Sequence, residues 1–190
     1  MPFRINSTVR DDQTSYTAIA ITLHWLIFVL ILCAWTLGLY MVDLPLSPQK
    51  LKYFSWHKWL GVTIFLIAMV RVLWRMSHPA PPLPHAIPPW QRQAAGVAHF
   101  LLYALILMIP LSGWVYTSAT GIPVVYFGVV QLPDLVGKDK ALAEILKQTH
   151  IFLNLTLFGI VCVHVAAALK HQLVDHSDVL SRMLPFLKTR

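Results

Sequence analysis

Residues 148–171, QTHIFLNLTLFGIVCVHVAAALKH, contain two histidines, His150 and His164, with no charged residue between them. Fourteen positions separate them, which is nearly four helical turns, so both rings leave one face of a helix roughly 21 Å apart along its axis. That distance is about two thirds of the hydrocarbon thickness of a bilayer, so one ring lies near each surface. A polar ring in lipid costs free energy unless it is hydrogen-bonded or ligating. The stretch therefore predicts a membrane-spanning helix whose two imidazoles each have a partner.

The composition of the whole chain is typical of a membrane protein. The 190 residues are 57% hydrophobic and 12% charged, whereas about a quarter of the residues in a soluble domain are charged. The net charge of +7 does not indicate nucleic-acid binding, because the Lys and Arg residues cluster at the ends of apolar runs. There they set membrane topology and contact anionic headgroups. Cys33 and Cys162 lie inside apolar runs without a CxxC or CxxCH pattern, which predicts two buried thiols and no covalently attached haem.

Apolar runs divide the chain into one domain, residues 1–190, with four predicted spans at about 16–42, 53–76, 93–117 and 149–171. Polar residues at 4–13 precede a first span that is too long for a signal-peptide core, so no cleaved leader is expected. Pro45 and Pro48 are predicted to stop the first helix. Six prolines between residues 77 and 90 predict an extended linker. The sequence therefore predicts an all-α, integral membrane four-helix bundle.

The segment 118–147 is apolar in part but contains helix-breaking residues. Gly121, Pro123, Gly128 and Pro133 argue against a fifth helix. We interpret the segment as an interfacial loop whose last part, 138–147, leads into the fourth span.

Positive charges predict the orientation of the four spans. The side that holds both termini and the proline-rich linker has nine Lys and Arg residues, against six on the other side. The excess predicts that both termini are cytoplasmic and that the loop 118–147 is periplasmic. The nine are Arg4, Arg10, Arg71, Arg75, Arg92, Lys170, Arg182, Lys188 and Arg190; the six are Lys50, Lys52, Lys58, Lys138, Lys140 and Lys147.

With this threading each intramembrane histidine has a depth. His24 enters from the cytoplasmic side and lies level with His164, while His57 enters from the opposite side and lies level with His150. Two pairs of imidazoles at two levels are what two bis-histidine haems stacked across the bilayer require. A single intramembrane His is more often a hydrogen-bonded contact between helices. Zinc would need three or four ligands converging at one point.

A flat porphyrin also needs room beside its ligands. Small residues near these histidines provide candidate positions for it, although they are also ordinary helix-packing residues; they are Gly61, Gly159, Ala166 and Ala167.

The sequence resembles the prokaryotic di-haem cytochrome b561 family, which is related to superoxide:ubiquinone oxidoreductase and to the cytochrome b subunits of hydrogenases and formate dehydrogenases. The resemblance covers nearly the whole chain. It is carried by LHWLIFVLIL in the first span, FSWHKWLGVTIFLIAMVRVLWR in the second, GVAHFLLYALILMIPLSGW in the third, and most specifically HIFLNLTLFGIVCVHVAAALKHQLVDHSDVLSRMLP at the end.

This resemblance implies a bacterial inner-membrane protein with two haem b groups and ubiquinone as electron acceptor. It implies that His24 and His164 hold the cytoplasmic haem iron, and that His57 and His150 hold the periplasmic one. His99 lies at a depth that lets it compete with His24, and that alternative stays open.

The resemblance also implies that His171 contacts the quinone. Arg71 and Arg75 are candidate partners of a haem propionate or a quinone oxygen, with positive-inside anchoring as an equal alternative. His78, His85 and His176 lie in polar or proline-rich segments and are expected to be solvated.

Iron with two imidazole ligands has no open position, so the predicted function is single-electron transfer between a periplasmic donor and the quinone pool. As the enzymatic version, the resemblance implies oxidation of superoxide at the periplasmic haem with reduction of ubiquinone. Lysines near that haem form a positive rim that would attract a small anion; they are Lys58, Lys138, Lys140 and Lys147. The alternative is a haem-bearing membrane anchor of a larger complex that docks a periplasmic redox protein. A transporter is disfavoured, because the spans carry no Asp or Glu for ion coupling.

Overall fold

The computed structural model describes residues 15–84, 87–184 and 186. Four helices dominate it, and each is long and apolar enough to cross a membrane: α1 Ala18–Val42, α2 Pro48–Ser77, α3 Pro89–Thr120 and α4 Lys140–Leu173. A two-stranded antiparallel hairpin, β1 Val125–Tyr126 and β2 Val130–Gln131, lies between α3 and α4. The predicted four-helix membrane fold is confirmed. Five residues used in the sequence argument, Arg4, Arg10, His85, Lys188 and Arg190, lie outside the described residues.

The first residues of the helices are set by capping side chains and by proline, which hydropathy does not show. Thr17, Ser47 and Asp139 each cap a helix N-terminus by accepting backbone N–H groups with their side chains. Pro48, which was expected to stop the first helix, is instead the first residue of α2, because proline lacks the N–H that the first helical turn leaves unpaired. The caps lengthen α2 and α4 into the interfacial regions.

The helices pack in chain order, α1 against α2, α2 against α3 and α3 against α4. Within the described residues, neither α1 nor α2 approaches α4 closely with its backbone. Side chains cross this gap instead: Trp35 of α1 stacks on Phe158 of α4 with 4.6 Å between ring centroids. The bundle therefore leaves room between α4 and the first two helices.

The outer surface of the bundle is apolar, as contact with lipid requires. Leucine, valine and phenylalanine side chains along all four helices are exposed. Cys33 and Cys162 are free thiols, but both lie on this outer surface and are not buried as expected. The prediction of burial was wrong because hydropathy does not distinguish lipid-facing positions from core positions.

The segment between α3 and α4 closes one end of the bundle, which we call the hairpin side. Phe127 and Gly128 both have positive φ in the tight turn that joins the strands. The indole of Trp59 donates to the Val125 carbonyl at 2.7 Å, and the hydroxyls of Thr63 and Tyr126 are 2.9 Å apart. These contacts fix the hairpin on α2. No helix forms between Thr120 and Lys140, as expected, although the hairpin was not predicted.

The opposite end, which we call the terminal side, contains the start of α1 and the end of α4. The chain after α4 folds back onto it. Trp25 of α1 donates to the Met183 carbonyl at 2.9 Å, and Arg182 donates to the Pro82 carbonyl in the proline-rich linker at 2.7 Å. Ser181 is buried between these contacts. The described part of the chain after α4 therefore packs on the bundle itself, whereas its mixed polarity predicts a segment that lies along the membrane surface.

Asp139→Ala should destabilise the protein, because the Asp139 carboxylate caps α4 by accepting from the Ala141 and Leu142 N–H groups at 2.8 and 3.1 Å. We expect a loss of about 1 kcal/mol in the free energy of unfolding, measured by titration from mild detergent into SDS. Asp139→Asn keeps an accepting oxygen and should lose much less. Equal losses in the two variants would contradict the capping role.

Candidate functional site

On the hairpin side, His57 of α2 and His150 of α4 face each other across the gap, with 6.3 Å between ring centroids. The Nδ1 atom of His57 is 3.0 Å from the Ala34 carbonyl oxygen. A carbonyl can only accept, so His57 carries its proton on Nδ1 and has a free lone pair on Nε2. This is the tautomer that a metal-ligating histidine needs.

His150 has the same arrangement. Its Nδ1 atom is 2.9 Å from the Ser112 hydroxyl, which itself donates to the Ile109 carbonyl at 2.7 Å. Because the only hydroxyl proton of Ser112 is used in that bond, its oxygen accepts from His150. Both hairpin-side imidazoles therefore have Nε2 available for a ligand.

Two glycines make room for these rings. A Cβ atom on Gly38 would lie 3.2 Å from Cε1 of His57, and one on Gly113 would lie 3.1 Å from Cε1 of His150. Each ring therefore fills the space that a side chain would occupy. Gly38, Gly113 and Ser112 were not predicted from the sequence, because nothing in a uniformly apolar helix shows which face meets a ring.

An apolar cavity lies between the two hairpin-side rings. Its volume is about 60 Å³, below the range of about 300–1,000 Å³ that is usual for ligand pockets. Gly61, Pro110 and Leu157 line it together with both histidines. Gly61, named from the sequence as a small residue near a ligand, does face this space. Gly159, Ala166 and Ala167, named with it, are exposed.

On the terminal side, three imidazoles lie close together. The ring of His164 is 6.4 Å from that of His24 and 5.3 Å from that of His99, centroid to centroid. A metal–imidazole bond of about 2.0 to 2.1 Å, plus about 1.1 Å from nitrogen to ring centre, places two opposed ligand rings about 6.2 to 6.4 Å apart. The His24–His164 pair and the hairpin-side pair have this separation. The His99–His164 pair is too close for it.

Arg71 lies beside the terminal-side rings. Its guanidinium donates to the Ala20 carbonyl at 2.9 Å, lies 3.2 Å from Nδ1 of His24 and sits over the Tyr103 ring at 5.7 Å. Arg75, one turn further along α2, has a buried Nη1 atom with no hydrogen-bond partner among the described residues. Two arginines thus lie on the terminal side. The Nη1 group of Arg75 can still donate a hydrogen bond to a ligand.

His171 lies at the terminal-side end of α4. Its Nδ1 atom is 2.7 Å from the Asp175 carboxylate, which also accepts from Lys170 at 2.7 Å. The Lys170 hydrogen bond, followed by the one from His171, keeps the pKa of Asp175 below its ordinary value. The His171 ring is thereby oriented by a carboxylate that stays ionised at neutral pH. The sequence analysis named His171 but missed Asp175, which lies outside the helix.

The remaining histidines and lysines take different positions. His78 is exposed and stacks on Trp74, and His176 is exposed, as expected for solvated residues. Of the predicted positive rim, Lys147 pairs with Glu144 at 3.6 Å, while Lys58 is half-buried next to His57. The rim is therefore weaker than the lysine count indicates, and Lys58 is the lysine nearest a candidate ligand.

The described residues contain no group of three or more His, Cys, Asp or Glu side chains arranged to hold a metal ion by themselves. The intramembrane imidazoles instead form opposed pairs across a gap between helices. That geometry suits a metal that brings its own equatorial ligands, as the iron of a porphyrin does.

Comparison with known proteins identifies the family. Residues 15–186 match the model of prokaryotic cytochrome b561. The chain belongs to this family. It is 33% identical over 177 residues to cytochrome b561 homolog 2 of Escherichia coli (strain K12), covering 89% of this chain and 90% of the relative. It is 29% identical over 175 residues to the probable superoxide oxidase CybB of Yersinia pestis, covering 90% and 96%.

Membership of the cytochrome b561 family gives the general function of the protein. It is a bacterial inner-membrane protein that binds haem b and transfers electrons within the membrane. The residues present fit such a group in their donor chemistry: paired imidazoles whose hairpin-side Nδ1 atoms meet oxygen acceptors, beside an apolar lining. The haem expected from the sequence therefore has a chemically suitable site.

Gly113→Val should displace the His150 ring, because even a Cβ atom at this position would lie within 3.1 Å of it. We expect the haem content of the purified protein to fall by about half, measured by the pyridine haemochrome assay, if this ring holds one of two haems. Gly159→Val is the matched control, since a Cβ there meets nothing within 4 Å. An unchanged haem content in Gly113→Val would contradict the role assigned to this ring.

Proposed function

We propose that the protein carries electrons across the inner membrane through two bis-histidine haem b groups. His57 and His150 hold the iron on the hairpin side, and His24 and His164 hold it on the terminal side. The single observation that carries this proposal is that both pairs have nearly the same centroid separation, 6.3 and 6.4 Å, at two depths. That separation is the one that two opposed imidazoles on one metal produce, about 6.2 to 6.4 Å.

When bound, each haem supplies reversible one-electron chemistry at an iron that has no open coordination position. The protein supplies the rest. Ala34 and Ser112 fix the tautomers of the hairpin-side rings, and Gly38 and Gly113 hold those rings in place. The apolar helices exclude water, so that electrons leave only towards an acceptor that docks near a haem.

We assign the terminal side to the cytoplasm and make it the site of quinone reduction. The excess of Lys and Arg on the terminal side supports this orientation. His171 supports the quinone site, because a quinone takes up two protons with its two electrons. An imidazole oriented by Asp175 at 2.7 Å can pass a proton at its other nitrogen. His99, close to His164, is assigned to hydrogen bonding and not to iron.

For the donor we propose superoxide, arriving on the hairpin side. The support is the similarity to the probable superoxide oxidase of Yersinia pestis and the half-buried Lys58 beside His57, which offers a positive charge to a small anion. Each superoxide would give one electron and leave as dioxygen. A haem-bearing anchor for a periplasmic redox protein remains the second candidate, favoured by the exposed apolar side chains of Phe127, Val129 and Val130 in the hairpin.

Haem stoichiometry tests the two-haem proposal directly. The purified protein should contain about two haems per chain, and His164→Ala should retain about one, with the hairpin-side centre still reducible. His99→Ala is the matched control, because its ring also lies against His164 but is assigned no iron. Loss of a haem in His99→Ala, with His24→Ala unchanged, would instead make His99 the partner of His164.

Lys58→Gln should slow haem reduction by superoxide about tenfold, an effect that decreases as ionic strength rises, because the loss is electrostatic. Stopped-flow absorbance after a superoxide pulse gives the rate. Lys147→Gln should have a smaller effect, since Glu144 already offsets that charge. If superoxide fails to reduce the wild-type haem while a soluble subunit co-purifies in equal amount, the anchor function replaces the enzymatic one.

A further inference from the structure

The two ring pairs differ in what faces the nitrogen that points away from the ligand position. On the hairpin side, Nδ1 of His57 faces the Ala34 carbonyl and Nδ1 of His150 faces the Ser112 hydroxyl oxygen, both neutral acceptors. On the terminal side, Nδ1 of His24 faces the guanidinium of Arg71, which can only donate. This difference bears on the electronic properties of the two sites.

Neutral acceptors at Nδ1 make the imidazole a stronger electron donor at Nε2. An imidazole N–H that donates to an oxygen gives its ring partial imidazolate character, and this raises ligand basicity. A more basic ligand stabilises the oxidised, more positively charged iron. Ser112 is well placed to exert this effect, because its own proton is fixed on the Ile109 carbonyl at 2.7 Å and its lone pair is left for His150.

Positive charge has the opposite effect on the terminal side. The guanidinium of Arg71 lies 3.2 Å from Nδ1 of His24, and the His24 ring is 6.4 Å from that of His164. A cation in an apolar environment is weakly screened, so it stabilises the reduced form of a nearby iron. On this side the Asp175 carboxylate lies beyond the end of α4 and is already paired with Lys170 and His171.

Arg71 also has anchors other than His24. If His24 ligates through Nε2, its proton lies on Nδ1 and can no longer accept from Arg71. The bond to the Ala20 carbonyl at 2.9 Å and the contact with the Tyr103 ring at 5.7 Å do not depend on His24. These contacts hold the charge next to the site whichever tautomer His24 adopts.

We propose that Ser112 and Arg71 are positioning residues that set the reduction potentials of the two haem sites in opposite directions. Ser112 lowers the potential on the hairpin side, and Arg71 raises it on the terminal side. One electron then moves from reduced iron on the hairpin side to oxidised iron on the terminal side, with no bond made or broken. This inference rests on the proposed two-haem function and adds to it the residues that set the two potentials.

A redox titration of the purified protein, followed by haem absorbance, tests the proposal. The wild type should titrate in two steps. Ser112→Ala should shift the lower midpoint potential upwards and leave the higher one in place. Arg71→Gln should shift the higher midpoint downwards and leave the lower one in place, so that the two steps converge in either variant.

Conservative variants separate tuning from structural damage. Ser112→Thr keeps the hydroxyl and Arg71→Lys keeps the charge, so each should restore the wild-type midpoint of its own site. Thr156→Val removes a hydroxyl that bonds only within α4, to the Phe152 carbonyl, and should shift neither midpoint. A shift of the same step by Ser112→Ala and Arg71→Gln, or a shift by neither, would overturn the proposal.

Haem content in the same samples tests the proposed two-haem function separately from the roles of Ser112 and Arg71. A wild type with fewer than two haems per chain refutes the proposed function itself. Two haems per chain with variant midpoints equal to those of the wild type refute only the roles of Ser112 and Arg71.

Discussion

The structure depends on the cost of placing imidazoles in an apolar membrane bundle. Each ring has two nitrogens, and both need a partner in an environment without water. On the hairpin side one nitrogen of each ring is satisfied by the protein, through the Ala34 carbonyl and the Ser112 hydroxyl. Both hairpin-side rings line an apolar cavity. Under the proposed function a haem iron there would be the partner of the second nitrogen of each ring.

This constraint also accounts for the helix arrangement. α3 packs directly on α4, whereas α1 and α2 stay away from α4 and meet it mainly through rings. A bundle packed evenly on all sides would leave no space for a flat macrocycle. The small residues that serve the site are therefore those against the imidazoles, Gly38 and Gly113, where a Cβ would push the ring out of position. The other glycines of the helices do not carry this restriction.

The sequence was sufficient for the membrane fold, and the fourteen-residue spacing of His150 and His164 was sufficient to expect two levels of rings. It did not indicate Ser112, Gly38 or Gly113, because α1 and α3 are apolar on all faces, so hydropathy cannot show which face is turned towards a histidine. The hairpin was missed because its strands are only two residues long and its turn uses Phe127 at positive φ, an uncommon choice. The prediction that Cys33 and Cys162 are buried was wrong for the same reason: hydropathy does not show which face of an apolar helix meets the core.

Saturated coordination limits what such a site can do, and the limit favours electron transfer over catalysis at the metal. If two imidazoles hold each iron, as proposed, neither dioxygen nor a substrate would reach the metal, and reactants would meet only the haem edge and the surrounding side chains. Selectivity must then come from the two ends of the bundle. The hairpin side presents Lys58 next to a ring pair with neutral partners, and the terminal side presents Arg71, Arg75 and the Asp175-oriented His171. An end with arginines and a group able to supply protons suits an acceptor that takes up electrons and protons together, whereas the hairpin side, where Lys58 lies, suits an anionic donor that only gives up an electron.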